Sequence, residues 1–212
     1  MDNCTYHLQT INQKVFHFVY GCALRDAILR GSFKGNHKEW IGELDQPKSI
    51  VRNYIDQLLG FAFDSQPAHD AFFLDTANAL CKEINRHRPA DAEDIFSFGN
   101  AQKLLNISVK HIYSFCYYDP KLRDAFRYCH CPLDQIMLEK IWKKYPDNTK
   151  RRAALGKHQE FFTAWGSEGT EDGRQPDLTC LPERYRKFQA AVKDLIGEGD
   201  IYPIEFDYLF WK

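Results

Sequence analysis

The chain has 212 residues, of which 44% are hydrophobic and 27% are charged, and its formal net charge is -1. This length suits one domain or two closely packed subdomains with a substantial core, and the composition excludes a disordered chain. The near-neutral charge excludes a global basic field, so nucleic acid could be bound only through a local basic patch.

Apolar residues recur at helical spacing along the chain, and no alternating stretch is long enough to predict a strand. The predicted fold is therefore all-α. In the first half, helices are expected over residues 10–29, from Pro47 to about Gly60, and from Pro67 to about Arg86. Gly21, in the middle of the first helix, suggests that a neighbouring helix approaches closely there.

Apolar spacing and helix start signals predict a further set of helices in the second half of the chain. They are expected after the acidic run 91–94, over 101–117 following a tight turn at Gly99, and over 121–128, 133–145, 149–165 and 182–196. The polar stretch 166–179 should be a surface loop, and the apolar segment 204–211 should dock on the core. Residues 1–212 would form a single all-α domain, or two helical subdomains with one of them around 90–165.

A lysine and an aspartate in the second half form a pair of chemical interest. Lys103 lies near the start of a predicted helix, where the helix dipole disfavours a cation, and Lys110 lies on the same face. The helix dipole and the repulsion by the Lys110 ammonium, together with burial, favour the neutral amine that a Schiff-base-forming lysine needs. Asp134 follows Pro132 at the start of a later helix, where backbone N–H groups would hold an ionised carboxylate.

Three motifs over residues 96–138 resemble the helix-hairpin-helix DNA glycosylases, in particular the archaeal 8-oxoguanine DNA glycosylase type. They are Phe96-Ser97-Phe98-Gly99, the segment from Lys103 to Val109-Lys110, and Pro132-Leu133-Asp134. That family has a nucleophilic lysine in a Lys-x-x-x-x-x-Val-Lys helix and a Pro-Val-Asp motif about thirty residues later. Here Lys103 and Asp134 are 31 positions apart. Ser97 departs from the family's first hairpin glycine, and Leu133 departs from its valine.

The resemblance implies a helix-hairpin-helix-like element around Gly99 and a substrate of double-stranded DNA with a damaged or modified base. The base would be flipped into a pocket, Lys103 would attack the anomeric carbon, and Asp134 would stabilise the oxocarbenium character. The Schiff base could then undergo β-elimination, which is AP-lyase activity. Backbone N–H groups near Gly99 would hold a phosphate.

A local basic cluster is the second candidate for DNA contact. It comprises Lys143, Lys144, Lys150, Arg151, Arg152 and Lys157. The alternative is a solvated face, just as Lys103 and Lys110 could be ordinary surface lysines and Asp134 an ordinary helix cap. The function alternative to a glycosylase is therefore a non-catalytic helical module that binds nucleic acid or another protein.

Seven cysteines are irregularly spaced, and neither a signal peptide nor a membrane-spanning run is evident. We expect reduced thiols in a cytoplasmic protein that has no membrane partner. Cys129-His130-Cys131, with Cys116 or Cys180, could be interpreted as a metal site, but the spacing is unlike paired Cys-x-x-Cys knuckles. Core or loop thiols are the preferred interpretation, so no metal and no cofactor are predicted. The oligomeric state has no signature in the sequence.

Overall fold

The computed structural model describes residues 3–29, 39–60, 63–89, 95–145, 148–155, 178–197 and 200–210. These residues contain nine α-helices and no strand, so the all-α prediction is confirmed. The helices are α1 (Asn3–Leu29), α2 (Glu39–Glu43), α3 (Asp45–Leu59), α4 (Gln66–Arg86), α5 (Phe98–Cys116), α6 (Pro120–Asp124), α7 (Gln135–Lys144), α8 (Asn148–Leu155) and α9 (Glu183–Ile196), followed by a 3₁₀ helix (Pro203–Phe210). None of the described helices is both long enough and apolar enough to cross a membrane.

Helix α5 lies at the centre of the hydrophobic core. It contacts α1, α3, α4, α6 and the terminal 3₁₀ helix. Most of its side chains are buried, and they are not confined to a single stripe, which is the pattern of a helix covered on several sides. Leu104, Leu105 and Val109 of α5 belong to a contiguous apolar cluster that extends through the described helices. A site on α5 is therefore held in place by much of the fold.

The start of α5 is fixed by a capping box. The Ser97 hydroxyl accepts from the backbone N–H of Asn100, and the Asn100 side chain accepts from the backbone N–H of Ser97. The Asn100 amide also donates to the carbonyl of Ala27 at 2.8 Å, which ties this end to α1. Because Ser97 caps the helix, α5 begins three residues before the predicted start, and Gly99 lies in its first turn rather than in a turn before it. Residues 90–94, which would complete a hairpin, lie outside the described residues.

The structure also tests the predictions made for Gly21 and for the C-terminal segment. Within the described part of the chain, no atom of a neighbouring helix lies within 4 Å of where a Cβ of Gly21 would stand, so the predicted close helix approach there is wrong. Gly21 instead lies on the exposed face of α1. The docking of the C-terminal segment is confirmed, because Ile204 and Phe206 are 0% and 2% exposed. The predicted loop 166–179 and the later part of the helix 149–165 lie outside the described residues.

Two observed helix boundaries differ from the predicted ones because a helix cap or a turn sets them. α7 begins at Gln135 because Asp134 serves as its N-cap, whereas the pattern predicted a start at residue 133. α6 ends at Asp124, and residues 125–128 continue as turns instead of helix. α1 begins at Asn3, well before the predicted start at residue 10, and the short helix α2 was not predicted. α3, α4 and α9 begin and end within a few residues of the predicted positions.

Candidate functional site

Lys103 and Asp134 lie together in the structure. The Lys103 Nζ is 3.8 Å from the Asp134 Oδ2, which is ion-pair range but longer than a hydrogen bond. Their side chains are 15% and 36% exposed, so the amine is sheltered while the carboxylate stays accessible. The other oxygen of Asp134, Oδ1, accepts from the backbone N–H of Met137 at 2.8 Å. This cap contact holds the carboxylate and leaves Oδ2 toward the lysine.

Gln102 sets the position of the pair. Its side chain is 1% exposed, and its amide donates to the Leu133 carbonyl at 2.7 Å. Its amide oxygen accepts from the Leu133 backbone N–H at 3.4 Å. The residue before Lys103 is thus bonded to the residue before Asp134, which aligns the second turn of α5 with the start of α7. Gln102 was not predicted as a site residue, although a glutamine on the buried side of an apolar helix indicates a buried hydrogen bond.

Lys110 has a structural environment of its own. It forms an ion pair with Asp207, both side chains being 13% exposed, and its ammonium lies 4.7 Å from the ring centroid of Tyr208. It lies about 10 Å further along α5 than Lys103. The contact with Asp207 attaches the terminal 3₁₀ helix to α5. The DNA-contact role of Lys110 stays a prediction.

Of the other predicted DNA contacts, the structure describes Gly99 and Arg151. The Gly99 carbonyl accepts from the Gln102 amide at 3.1 Å within the first turns of α5. The Arg151 guanidinium lies over the Trp142 ring at 5.1 Å and donates to the Tyr145 carbonyl at 2.6 Å, so it packs back on α7. The side chains of Lys150 and Arg152 lie outside the described part of the chain. A DNA role for this group stays a prediction.

A buried polar network lies next to Gln102, and the sequence did not predict it. His69 of α4 faces His130 with ring centroids 5.0 Å apart, and Asp70 Oδ1 is 2.9 Å from His130 Nε2. The Tyr54 hydroxyl is 2.8 Å from His69 Nε2, and the Tyr185 hydroxyl is 2.9 Å from His130 Nδ1. These groups come from α3, α4, α9 and the segment before α7.

Asn106 links this network to the Lys103–Asp134 pair. Its amide donates to the Tyr185 hydroxyl at 3.0 Å and to the Gln102 amide oxygen at 3.2 Å. Hydrogen bonds therefore run without a break from Asp70 through His130, Tyr185 and Asn106 to Gln102. The network braces the side of α5 that carries the lysine.

Burial decides the protonation of the two histidines. Desolvation lowers the pKa of His69 to about 4, and it also lowers the pKa of His130, although Asp70 opposes the shift. Burial acts to raise the pKa of Asp70, but the neighbouring imidazoles of His130 and His69 and the Gln66 amide outweigh burial and hold that pKa well below its usual range. The cluster thus contains neutral imidazoles beside an ionised carboxylate.

Among the described residues, Cys129 and Cys131 do not belong to the group of potential metal ligands that contains His130. Cys129 and Cys131 are 1% and 0% exposed, and burial raises the pKa of both thiols. The backbone of Cys131 is held at both ends by Gln189, whose amide oxygen accepts from its N–H at 3.0 Å and whose amide donates to its carbonyl at 2.8 Å. The preferred interpretation of these thiols as core residues is confirmed.

An open cavity of about 790 Å³ lies near the C-terminal end of α5. Its lining includes Tyr113, Tyr117, Tyr118 and Tyr208, and it includes the ion pair of Arg123 with Glu205. No motif in the sequence indicated this cavity, because its residues come from α5, α6 and the terminal 3₁₀ helix.

No protein-family model, curated protein or solved structure matches this chain. Its function is therefore proposed from its own residues.

Proposed function

We propose that the chain is a DNA glycosylase with lyase activity that uses Lys103 as a Schiff-base nucleophile and Asp134 as the assisting carboxylate. The observation that carries the proposal is the 3.8 Å separation of Lys103 Nζ and Asp134 Oδ2, two groups 31 positions apart in the sequence. The motif resemblance requires these two residues to meet.

The chemistry follows from the positions of the two groups. The Lys103 amine must give up a proton before it attacks, and the Asp134 carboxylate is the adjacent group that can accept it. The amine lone pair then forms a bond to C1′ while the glycosidic bond breaks, its electron pair leaving on the base. Asp134 stabilises the positive charge that develops on the sugar. In ring opening the C1′–O4′ bond breaks, O4′ takes up a proton, and the protonated imine forms. β-Elimination then removes a proton from C2′ while the C3′–O bond breaks, which forms a C2′=C3′ double bond and releases the phosphate.

The surroundings of the pair suit this role. Lys103 projects from a helix that is capped at Ser97 and covered on several sides, and Gln102 fixes the neighbouring backbone of Leu133. Such preorganisation keeps the nucleophile and the carboxylate at a fixed separation without reorganisation during the reaction. The first turn of α5, which contains Gly99, presents backbone N–H groups that suit a DNA phosphate.

The proposed substrate is double-stranded DNA that carries a damaged or modified base, and the proposed location is the cytoplasm. Support for the location comes from the cysteines, because Cys22, Cys129, Cys131 and Cys180 are free thiols in the described part of the chain.

Borohydride trapping tests the proposal. The full chain is incubated with a panel of duplexes, each with one damaged or modified base, and the imine is reduced to a stable adduct. We expect an adduct with at least one duplex, its loss in Lys103→Gln, and a large rate decrease in Asp134→Asn. Lys82→Gln, on the exposed surface of α4, is the matched control and should trap like the wild type. An adduct that survives Lys103→Gln, or no base release on any duplex, would contradict the proposal.

A non-catalytic nucleic-acid-binding module is the second candidate. The observation in its favour is the tyrosine-lined cavity, at whose edge Tyr118 is 92% and Tyr117 48% exposed. Exposed aromatic rings can stack on unpaired bases. This candidate predicts salt-dependent binding of single strands that Tyr118→Ala weakens, with no covalent adduct. Trapping and strand binding therefore separate the two functions.

A further inference from the structure

Three potential metal ligands converge in the buried polar network. His69, Asp70 and His130 each offer one ligand atom, and these three atoms all lie within 4.8 Å of one another. His69 and Asp70 are neighbours on α4, and His130 comes from the segment before α7. Two imidazoles and one carboxylate form a donor set that suits zinc and other first-row divalent ions.

One of these atoms lacks a hydrogen-bond partner. Within the described part of the chain, His69 Nδ1 is a buried nitrogen with no partner, and the His69 side chain is 0% exposed. Its neighbour Asp70 Oδ1 is 3.5 Å away, too far for a strong hydrogen bond. A buried polar atom left in this state destabilises the fold, and few such atoms occur in native proteins. A cation at the centre of the cluster would satisfy it.

Each imidazole is hydrogen-bonded to a tyrosine hydroxyl through the ring nitrogen that does not face Asp70. Tyr54 contacts the outer nitrogen of His69, and Tyr185 contacts the outer nitrogen of His130. In metal sites, a ligating histidine donates its other N–H to an acceptor that fixes the tautomer and the ring orientation. When both hydroxyls act as acceptors here, the remaining lone pairs, on His69 Nδ1 and His130 Nε2, face the Asp70 carboxylate.

The two separations that involve Asp70 suit a small coordination sphere. Ligand atoms about 2.1 Å from a tetrahedral ion are roughly 3.3–3.4 Å apart. Asp70 Oδ1 is 2.9 Å from His130 Nε2 and 3.5 Å from His69 Nδ1, which brackets that value. The Asp70 side chain is 32% exposed, so an ion can reach the cluster from solvent.

We propose that His69, Asp70 and His130 bind one divalent transition-metal ion of the zinc class, with the Gln66 amide, 3.4 Å from His130 Nε2, turning aside to admit it. Gln66 donates to Asp70 at 2.6 Å and accepts from the Lys193 ammonium at 2.7 Å. Lys193 is a cation on the same side and weakens binding without occupying the site. The ion would join α4 to the segment before α7, and it is not used in the chemistry proposed for Lys103.

Metal titration of the full chain tests this proposal. The protein is treated with chelator, its thiols are kept reduced with a phosphine, and it is titrated with Zn²⁺ by calorimetry and with Co²⁺ by visible absorption. We expect one equivalent of Zn²⁺ to bind and the Co²⁺ complex to show the strong absorption of low coordination number. Asp70→Asn should weaken binding at least tenfold, whereas Asp75→Asn, on the exposed face of α4, should bind like the wild type.

Tyr185→Phe provides a second test that keeps all three ligands. Loss of this supporting hydroxyl should weaken Zn²⁺ binding about 10–100-fold, and circular dichroism checks that the variant is folded. Lys103→Gln should retain full Zn²⁺ binding, so failure of the glycosylase proposal and failure of the metal proposal are distinguishable. No saturable binding by the wild type, or equal affinity in the wild type, Asp70→Asn and Tyr185→Phe, would overturn the proposal. In that case His130 donates a hydrogen bond to Asp70 and the cluster is a hydrogen-bonded network only.

Discussion

Gln102 and Leu133 share two hydrogen bonds, from the Gln102 amide to the Leu133 carbonyl at 2.7 Å and from the Leu133 backbone N–H to the Gln102 amide oxygen at 3.4 Å. Each residue directly precedes a member of the candidate catalytic pair. The distance between the Lys103 and Asp134 side chains thus depends on the side-chain amide of Gln102, which bonds to the backbone of Leu133.

Gln102→Met keeps the approximate shape of this side chain and removes both hydrogen bonds. It leaves buried backbone groups of Leu133 unsatisfied, so we expect the free energy of unfolding to fall by about 2 kcal/mol. The rate of adduct formation should also fall, because the pair loses its alignment. Urea denaturation measures the first effect and borohydride trapping the second. Gln135→Met, on the exposed first turn of α7, should change stability by less than about 0.5 kcal/mol. Equal stability of the two variants would contradict the role of Gln102.

Asp134 combines a capping role with a proposed chemical one, and two substitutions separate them. Asp134→Asn keeps an N-cap acceptor for the Met137 N–H, so its stability should stay near that of the wild type. Asp134→Ala removes the acceptor and should cost about 1 kcal/mol in urea denaturation. Both variants should lose most of the excision rate because both lack the carboxylate. An Asn variant with the full rate would show that the charge of Asp134 is not used.

Glu205 secures the C-terminal 3₁₀ helix. Its carboxylate accepts from Arg123 at 3.1 Å and from the backbone N–H of Tyr202 at 2.6 Å, and its side chain is 10% exposed. Glu205→Ala should lower the free energy of unfolding by about 2 kcal/mol, because it leaves buried donors unpaired. The measurement is urea denaturation, with limited proteolysis to detect release of residues 200–210. Glu139→Ala on α7, where the glutamate is 42% exposed, is the control and should have little effect. Equal protection from proteolysis in both variants would contradict the role of Glu205.

The buried histidines predict a pH dependence of stability in the presence of chelator. Burial holds the folded-state pKa of His69 at about 4, and it also lowers that of His130, below the unfolded value of about 6.5. The unfolded state therefore binds more protons as the pH falls, so this contribution to stability is complete above about pH 7 and decreases between about pH 6.5 and 4. Each histidine contributes a slope of up to about 1.4 kcal/mol per pH unit. His130→Gln should show a shallower slope in urea denaturation across this range, and an unchanged slope would contradict the prediction.

Local pattern was enough to predict the all-α fold and most of its helices, whereas the meeting of Lys103 and Asp134 was expected from the resemblance to the glycosylase motifs. The spacing of apolar residues gave the all-α fold, and the motif order brought Lys103 and Asp134 into consideration together. The exact start of α5 was missed because Ser97 and Asn100 form a reciprocal cap that extends the helix upstream. Gly21 was misread because a glycine inside a helix does not specify which face it lies on.

Contacts between distant segments could not be predicted from spacing. His69 and His130 meet only after α4 packs beside the segment before α7, and Lys110 meets Asp207 across 97 positions. His69 did carry a signal, because it shares the buried face of α4 with Phe73 and Ala77. A histidine among apolar residues indicates a buried polar contact, but it does not name the partner.

Mass spectrometry that locates the trapped sugar tests directly whether Lys103 is the nucleophile. The chain is reduced with borohydride on a duplex that it cleaves, the DNA and protein are digested, and the modified peptide is sequenced. We expect one reduced deoxyribose adduct, on the side-chain nitrogen of Lys103. An adduct on Lys110, on the N-terminal amine or on any other residue would contradict Lys103 as the nucleophile.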